Sequence, residues 1–294
     1  MSHRRYVSPL RYPGGKATMA PWLGDLFIHQ YGLMDVEVWM EPFAGGAGAA
    51  LTLLDRDMVD HVHLIDANAG IAAFWCSVIA EGDNLAALVE RTTPTLGLYE
   101  RSRAVLAEPE GADLFDLGYA AFIVNRCSRS GIIAPRSGVM SDVTARFNAR
   151  ELADRIRHVA SFRSRMTVTH GDGIAHIEAL DGSVGIEDEV LIFCDPPYVR
   201  EGPRLYAHSL DDSMHRRLAT ALHATPARWL LTYDDEPVVS DVLYPDHRVI
   251  AYDIRNNAGR ARVAREFAVL SDNLAVGDVT GLSPYGVTSY VRAA

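Results

Sequence analysis

The sequence predicts an α/β protein: a mostly parallel sheet of about seven strands, flanked by helices and interrupted by an inserted helical lobe. Three observations carry this. Short apolar runs recur along the chain, helix-length segments separate several of them, and polar or acidic residues close most of the runs. The runs are VEVWMEPF (36–43), HVHLID (61–66), MTVTHGD (166–172), EVLIFCDPP (189–197), RWLLTYDD (228–235), RVIAYDI (248–254) and EFAVLSDN (266–273). Strands alternating with helices give a sheet with parallel strands at its centre.

Taken in order, MAPWLGDLFIHQY reads as a helix before the first strand, NAGIAAFWCSVIAEG as one after the second, and SLDDSMHRRLATALHA as one after the fourth. The acids Glu41, Asp66, Asp172, Asp195 and Asp234 close strands. Ligands of open α/β sheets bind at the carboxyl ends of strands, so these acids point to one shared site. The alternation breaks between about 76 and 160, which reads as helices and loops. The expected division is therefore a discontinuous catalytic domain (1–75 and 161–273) around a lobe at 76–160. The last segment, 274–294, is rich in Gly, Ser and Thr and reads as a loosely ordered tail.

At 294 residues, 48% hydrophobic and 22% charged, the chain can bury a sizeable core. Its start, MSHRRYVSPL, has charge but no apolar run behind it, so no signal peptide is expected. No stretch reaches the ~20 apolar residues of a bilayer span. Cys76, Cys127 and Cys194 form no CxxC pair and the histidines form no HExxH, which argues against a metal site and fits a reducing cytoplasm. A net charge of −10 argues against a broadly basic nucleic-acid binder. Yet residues 120–165 hold nine arginines against Asp142, Glu151 and Asp154, a local +6. Such a run is a solvated face or a phosphate-binding one. The chain's only lysine, Lys16, sits outside it, on a Pro-Gly-Gly turn.

Two stretches carry chemistry. In EPFAGGAG (41–48) a strand enters a glycine turn ahead of an apolar helix start. Such a turn lets backbone approach a ligand and leaves helix N–H groups free, although a tight strand-to-helix turn uses glycine too. Asp66, at the end of the next strand, stands where a nucleotide-like cofactor's ribose is held, or else caps a helix with Asn68. In LIFCDPPYV (191–199) two prolines end a strand in a rigid loop. Asp195 and the Pro196 carbonyl can each accept one N–H of an amino group, and Tyr198 can stack on the planar base that bears it. Cys194 reads as a small buried apolar residue rather than a nucleophile.

With LRYPGGK, EPFAGGAG, LIDAN, a basic insertion and CDPPY in that order, the chain resembles amino-methyltransferases that use S-adenosylmethionine. In detail it is similar to the Dam-type (D12 class) DNA adenine-N6 methylases. NRCSRSGI resembles a loop of that family's DNA-recognition lobe and REFAVLSDN its last strand, so the likeness spans roughly 8–273. One departure is Ala47, where many members carry a third glycine. The resemblance implies a Rossmann-like class I methyltransferase sheet with an inserted target-recognition lobe. It puts Tyr12, Gly15 and Lys16 on the cofactor side, Lys16 near the cofactor's carboxylate. Phe43, Ala44 and Gly45 line the same ligand, Asp66 binds its ribose and Asp172 reaches its adenine. Asp195, Pro196, Pro197 and Tyr198 match the catalytic loop.

Double-stranded DNA is the implied partner, with the target adenine flipped out to reach the loop. Asn125 is a candidate for an adenine edge, and Arg126, Arg129 and Arg136 for phosphate or guanine. Arg255, Arg260, Arg262 and Arg265 are candidates to grip backbone. No metal and no membrane are implied, and any restriction activity belongs to another polypeptide. Three alternatives stay open. The same loop serves the N4 amine of cytosine, although the N-terminal PGGK segment favours adenine. A protein or RNA amine methyltransferase is another, although protein-glutamine enzymes usually carry Asn at the start of this loop. A DNA-binding module that has lost catalysis is the third, against which stand the intact loop and glycine turn.

Overall fold

The computed structural model describes residues 7–12, 15–30, 38–133, 138–181, 189–200, 210–256, 262–283 and 286–292. The strands are β1 (Val38–Glu41), β2 (His61–Asp66), β3 (Met166–His170), β4 (Val190–Cys194), β5 (Arg228–Asp234), β6 (Arg248–Asn256), β7 (Arg262–Leu270) and β8 (Thr288–Arg292). They form one sheet in the order β3-β2-β1-β4-β5-β7-β6-β8. The pairs from β3 to β5 are parallel, and β7, β6 and β8 add antiparallel. This is the expected Rossmann-like α/β sheet, with one strand more than the sequence suggested. β8 lies in the stretch read as a loose tail; its TSYVR, with β-branched and aromatic residues, pairs with β6.

The helices are α1 (Ala20–Ile28), α2 (Gly48–Asp55), α3 (Ala69–Arg91), α4 (Leu96–Ala107), α5 (Leu114–Cys127), α6 (Ala149–Ala160), α7 (Gly173–Glu178) and α8 (Asp212–Ala224). Caps explain several starts: Asn68 accepts from Gly70 and Ile71 N–H, Asp113 from Phe115, Asn148 from Glu151 and Asp211 from Met214. All five β4 residues are buried, since the strand is covered on both faces. Leu191 and Phe193 enter one core with α1–α6, while Ile192 and Cys194 enter the other with α7 and α8.

The boundary expected at 75/76 falls inside α3. Phe74 stacks on Phe122 of α5 at 5.6 Å, and Leu152 and Ile156 of α6 join the same core as Trp39 and Leu64 of the sheet. The helices read as an inserted lobe thus share the core on one face of the sheet, because their apolar faces need a partner and the sheet supplies it. Among the described residues α3 is the one helix long and apolar enough to cross a membrane. It packs here against α5 and α6, with Phe74, Trp75 and Val78 fully buried.

Candidate active site

From β1 the chain runs outward to β2 and β3, then returns at β4 to β1's other side, so the switch point of the sheet lies between β1 and β4. Crevices at such points take ligands, and here they are bordered by the glycine turn after β1 and by Asp195–Tyr198 after β4. The turn is fixed from several sides. Ala44 N–H donates to the Ile65 carbonyl at 2.9 Å, Gly45 N–H to Asp66 Oδ2 at 2.8 Å, and Trp75 Nε1 to the Gly45 carbonyl at 2.9 Å. Gly45 has φ +47°, and a Cβ there would lie 2.7 Å from Cζ of Tyr12, whose ring covers the turn. Ala47 also takes a left-handed φ of +47°, which is where related turns place their third glycine. A side chain in that conformation costs on the order of 1 kcal/mol.

Glu41, which closes β1, is buried and accepts from Trp39 Nε1 at 3.0 Å and from Ala50 N–H at 2.8 Å, tying strand to helix. Burial pushes its carboxyl up to about 7, against the pull of those hydrogen bonds. Its folded value exceeds the unfolded one, so the stability this provides is complete below about pH 4.5 and is lost as pH rises through about 7. Wild type is therefore expected to lose about 2 kcal/mol relative to Glu41→Gln between pH 5 and pH 8. Denaturant melts of both proteins across that range check it; parallel curves would show that Glu41 does not titrate there.

Asp66 bridges the turn and the start of α3, with Oδ1 accepting from Asn68 N–H at 2.8 Å while the carboxylate keeps partial exposure. Both readings of this segment hold together, since Asn68 is the cap and Asp66 remains at the strand end. Asp172 caps α7 through Ile174 N–H at 2.9 Å and meets Arg217 Nη1 at 2.6 Å. Burial opposes its charged form, but the Arg217 and backbone hydrogen bonds prevail and hold it below the usual range. Gly173 permits this placement, because a Cβ there would lie 2.0 Å from the Pro42 carbonyl oxygen.

Lys16 lies against the loop after β4. It is 3% exposed, and its Nζ donates to Asp195 Oδ1 at 2.8 Å, Asp195 Oδ2 at 3.0 Å and Tyr198 Oη at 2.8 Å. Glu266 of β7 stands 3.6 Å from the same ammonium. In this structure Lys16 is the counter-charge of Asp195 in the loop after β4. Burial alone pulls its pKa down; Asp195 and then Glu266 more than reverse this, and the ammonium is held above the ordinary lysine value. Thr232 Oγ1 donates to Asp195 Oδ1 at 2.6 Å, and Tyr198 Oη lies 3.2 Å from the same oxygen. Among the described residues Oδ2 receives only Lys16, so the carboxylate has acceptor capacity left. Asp234 closes β5 and secures the far end of the loop, accepting from Val199 and Arg200 N–H at 3.2 and 2.9 Å.

Glu266, Tyr252 and Thr232 escaped the sequence reading. Glu266 is 6% exposed, and its Oε2 accepts from Tyr198 Oη at 2.8 Å and Tyr252 Oη at 2.7 Å. Burial raises its pKa foremost; Lys16 opposes this and Asp195 adds to it, leaving the carboxyl above its ordinary value. The available signal was an acid inside the apolar run EFAVL, in a chain with one lysine to neutralise it.

The lobe residues divide. Asn125 is fully buried: its amide donates to the Arg11 carbonyl at 2.7 Å and the Gly131 carbonyl at 2.5 Å, and its oxygen accepts from Arg11 N–H at 2.8 Å. It fastens the N-terminal segment to the lobe instead of facing a groove. Arg126 is drawn to the carbonyls of Pro9 and Arg146, and burial, then the neighbouring Arg155, brings its pKa down to about 10. Arg129 is exposed, as are Arg146, Arg150 and Arg163, while Arg136 and Arg260 lie outside the described residues. Arg265 is exposed and reaches Ser289 at 2.8 Å. Among the described residues no group of three or more His, Cys, Asp or Glu could hold a metal ion.

Residues 12–108 match the family model of the D12 class N6 adenine-specific DNA methyltransferases. No curated protein matches the chain. Among solved structures it is similar to a candidate RNA methyltransferase from Pyrococcus horikoshii, at 11% identity and a TM-score of 0.40, over 89% of this chain and 84% of that one. An rRNA methyltransferase from Streptomyces viridochromogenes is 16% identical, with a TM-score of 0.34 over 86% of this chain and 84% of that one. A Legionella pneumophila protein is 13% identical, with a TM-score of 0.38 over 95% and 96%. Likeness this distant says nothing of substrate. The family match bears out the motif resemblance across the segment that holds Tyr12, Lys16, the glycine turn and Asp66.

Proposed function

We propose that this methyltransferase, whose methyl donor is S-adenosylmethionine, acts on the N6 amine of an adenine flipped out of double-stranded DNA. The observation that carries the reading is the Asp195–Tyr198 loop at the switch point, facing the glycine turn of β1 in a chain whose first third matches the D12 class model. The donor supplies an electrophilic methyl on a sulfonium. What remains for the protein is to hold the amine, a poor nucleophile because its lone pair is shared with the ring, in line with that methyl.

Asp195 has acceptor capacity for one N–H, and the Pro196 carbonyl is the natural acceptor for the other. Two such bonds favour a pyramidal nitrogen whose lone pair points away from the loop. Positive charge developing on nitrogen is stabilised by Asp195, whose place is set in advance by Lys16 and Thr232. The Tyr198 ring offers a face for the extruded base, and Asp66 and Asp172 with the cradle at 45–46 hold the donor. The exposed Arg129, Arg146 and Arg150 offer phosphate contacts on the same lobe, and Asn125 supports them from inside.

Purified protein is expected to transfer labelled methyl to duplex DNA, with N6-methyladenine recovered on digestion. N4-methylcytosine in the digest would select the cytosine reading. Label in RNA or protein but not in DNA would overturn the substrate assignment.

A further inference from the structure

Buried Lys16 and Glu266 and half-buried Asp195 and Tyr198 form one cluster holding two carboxylates and one ammonium. With all three ionised it carries one uncompensated negative charge, which burial makes costly and one proton would cancel. Each neighbour of Asp195 has a distinct protonic capacity. Lys16 is already protonated and only donates, and Thr232 spends its proton on Oδ1. Tyr198 alone connects Asp195 to another base: its Oη lies 3.2 Å from Asp195 Oδ1 and 2.8 Å from Glu266 Oε2. Tyr252 Oη, at 2.7 Å, holds that same Glu266 oxygen in place.

We propose that Glu266, reached through the Tyr198 hydroxyl, takes up the proton that the target amine releases. The inference rests on the methyl-transfer reading above. Transfer to a neutral amine leaves a positively charged nitrogen, which returns to neutrality when one N–H bond breaks and its electron pair stays on nitrogen. The proton passes to Asp195. Asp195 then protonates Tyr198 Oη while the original Tyr198 O–H bond breaks and its proton bonds to Glu266 Oε2. Asp195 and Tyr198 end as they began, and Glu266 ends as the neutral acid. The excess negative charge of the cluster is what disappears. Glu266 touches no substrate and is a positioning and proton-storing residue, not a catalytic one.

The groups that face Glu266 are Lys16, Asp195 and Tyr198 from the two loops and Tyr252 from β6; Asp234 is its register partner on β5. Its burial-raised pKa suits it to accept. Glu266 must be ionised to do so, hence the wild-type single-turnover rate is expected to rise with pH as Glu266 loses its proton and then level off. Glu266→Gln keeps a carbonyl oxygen for Tyr198 and Tyr252 but takes no proton. It is expected to slow single-turnover transfer by about a hundredfold, to remove the rising limb, and to leave S-adenosylmethionine affinity by calorimetry within twofold. Tyr198→Phe keeps the ring and cuts the path, so it is expected to lose the same limb, and the double variant to be no slower than the worse single one.

Should Glu266→Gln not fold, Tyr198→Phe with Glu266 intact answers the same question. Retention of the limb and of a near-wild-type rate in either variant overturns the relay while leaving the methyltransferase reading standing. A wild-type protein that transfers methyl to no base amine overturns both.

Discussion

Asp195→Ala is expected to abolish methyl transfer, lowering the single-turnover rate by at least about a thousandfold, with the fold and cofactor affinity retained. The carboxylate is the end of a rigid arrangement: β4 is buried on both faces, Thr232 and Lys16 fix the acid, and Asp234 holds the loop beyond. Removing it takes away the acceptor that orients the amine and the charge that meets the developing cation. The variant survives because Lys16 and Glu266 then remain as a neutral pair, so no unpaired buried charge is created. Labelled-methyl transfer under single-turnover conditions, alongside melting temperature and calorimetry with S-adenosylmethionine, separates these outcomes. Normal transfer by Asp195→Ala would mean that another group holds the amine.

Lys16→Met should have the opposite profile, with loss of stability foremost. It leaves Asp195 and Glu266 facing one another without a counter-charge, and breaking such a buried pair costs about 3–5 kcal/mol. The pH dependence has a definite sign. In wild type the Lys16 pKa is raised, so its contribution is complete below the ordinary lysine value and is lost only in strong alkali. In the variant Glu266 loses the ammonium that opposes its burial, so its carboxyl stays above the unfolded value and its favourable contribution exists in acid and fades as pH climbs through the folded value. The gap between wild type and Lys16→Met is therefore expected to widen from pH 5 to pH 8. Adding Glu266→Gln to Lys16→Met should recover most of the loss at pH 8, since one carboxylate remains where there were two. Urea melts of the three proteins at both pH values measure it, and a pH-independent gap would show that the carboxylates are not coupled through Lys16.

These expectations show where sequence and structure part. The strand at 228–235 was legible because a strand buried on both faces must be an apolar run, and the one at 61–66 because Val62, Leu64 and Ile65 keep an apolar core between partly buried polar residues. The acids ending them could be placed at one site because parallel strands share a carboxyl edge. β8 escaped because its pairing with β6 outweighs the Gly, Ser and Thr that precede it. The helices at 76–160 were legible as helices, but not as a cover for the sheet, since an apolar face does not state its partner. The partners of Asn125 and Lys16 were not legible for one reason. A polar residue in a motif announces that it has a partner, and the partner lay on backbone or carboxylates far along the chain.

That distance governs when the protein can become active during its own synthesis. Lys16 leaves the ribosome early, yet it meets Asp195 179 positions later and Glu266 at a separation of 250, from 16 and 266. At about 5–20 residues per second, roughly 12–50 s pass between translation of the lysine and of its second carboxylate. A nascent chain can form the β1–α2 turn from neighbouring residues, but Lys16 has no carboxylate of this cluster to meet until Asp195 follows β4, and the cluster lacks Glu266 until β7 has been made. Closing so long a loop is a late event in folding. The last strands of the sheet therefore complete the cluster: the glycine turn comes first, and the carboxylate that shares Lys16 with Asp195 comes at the end.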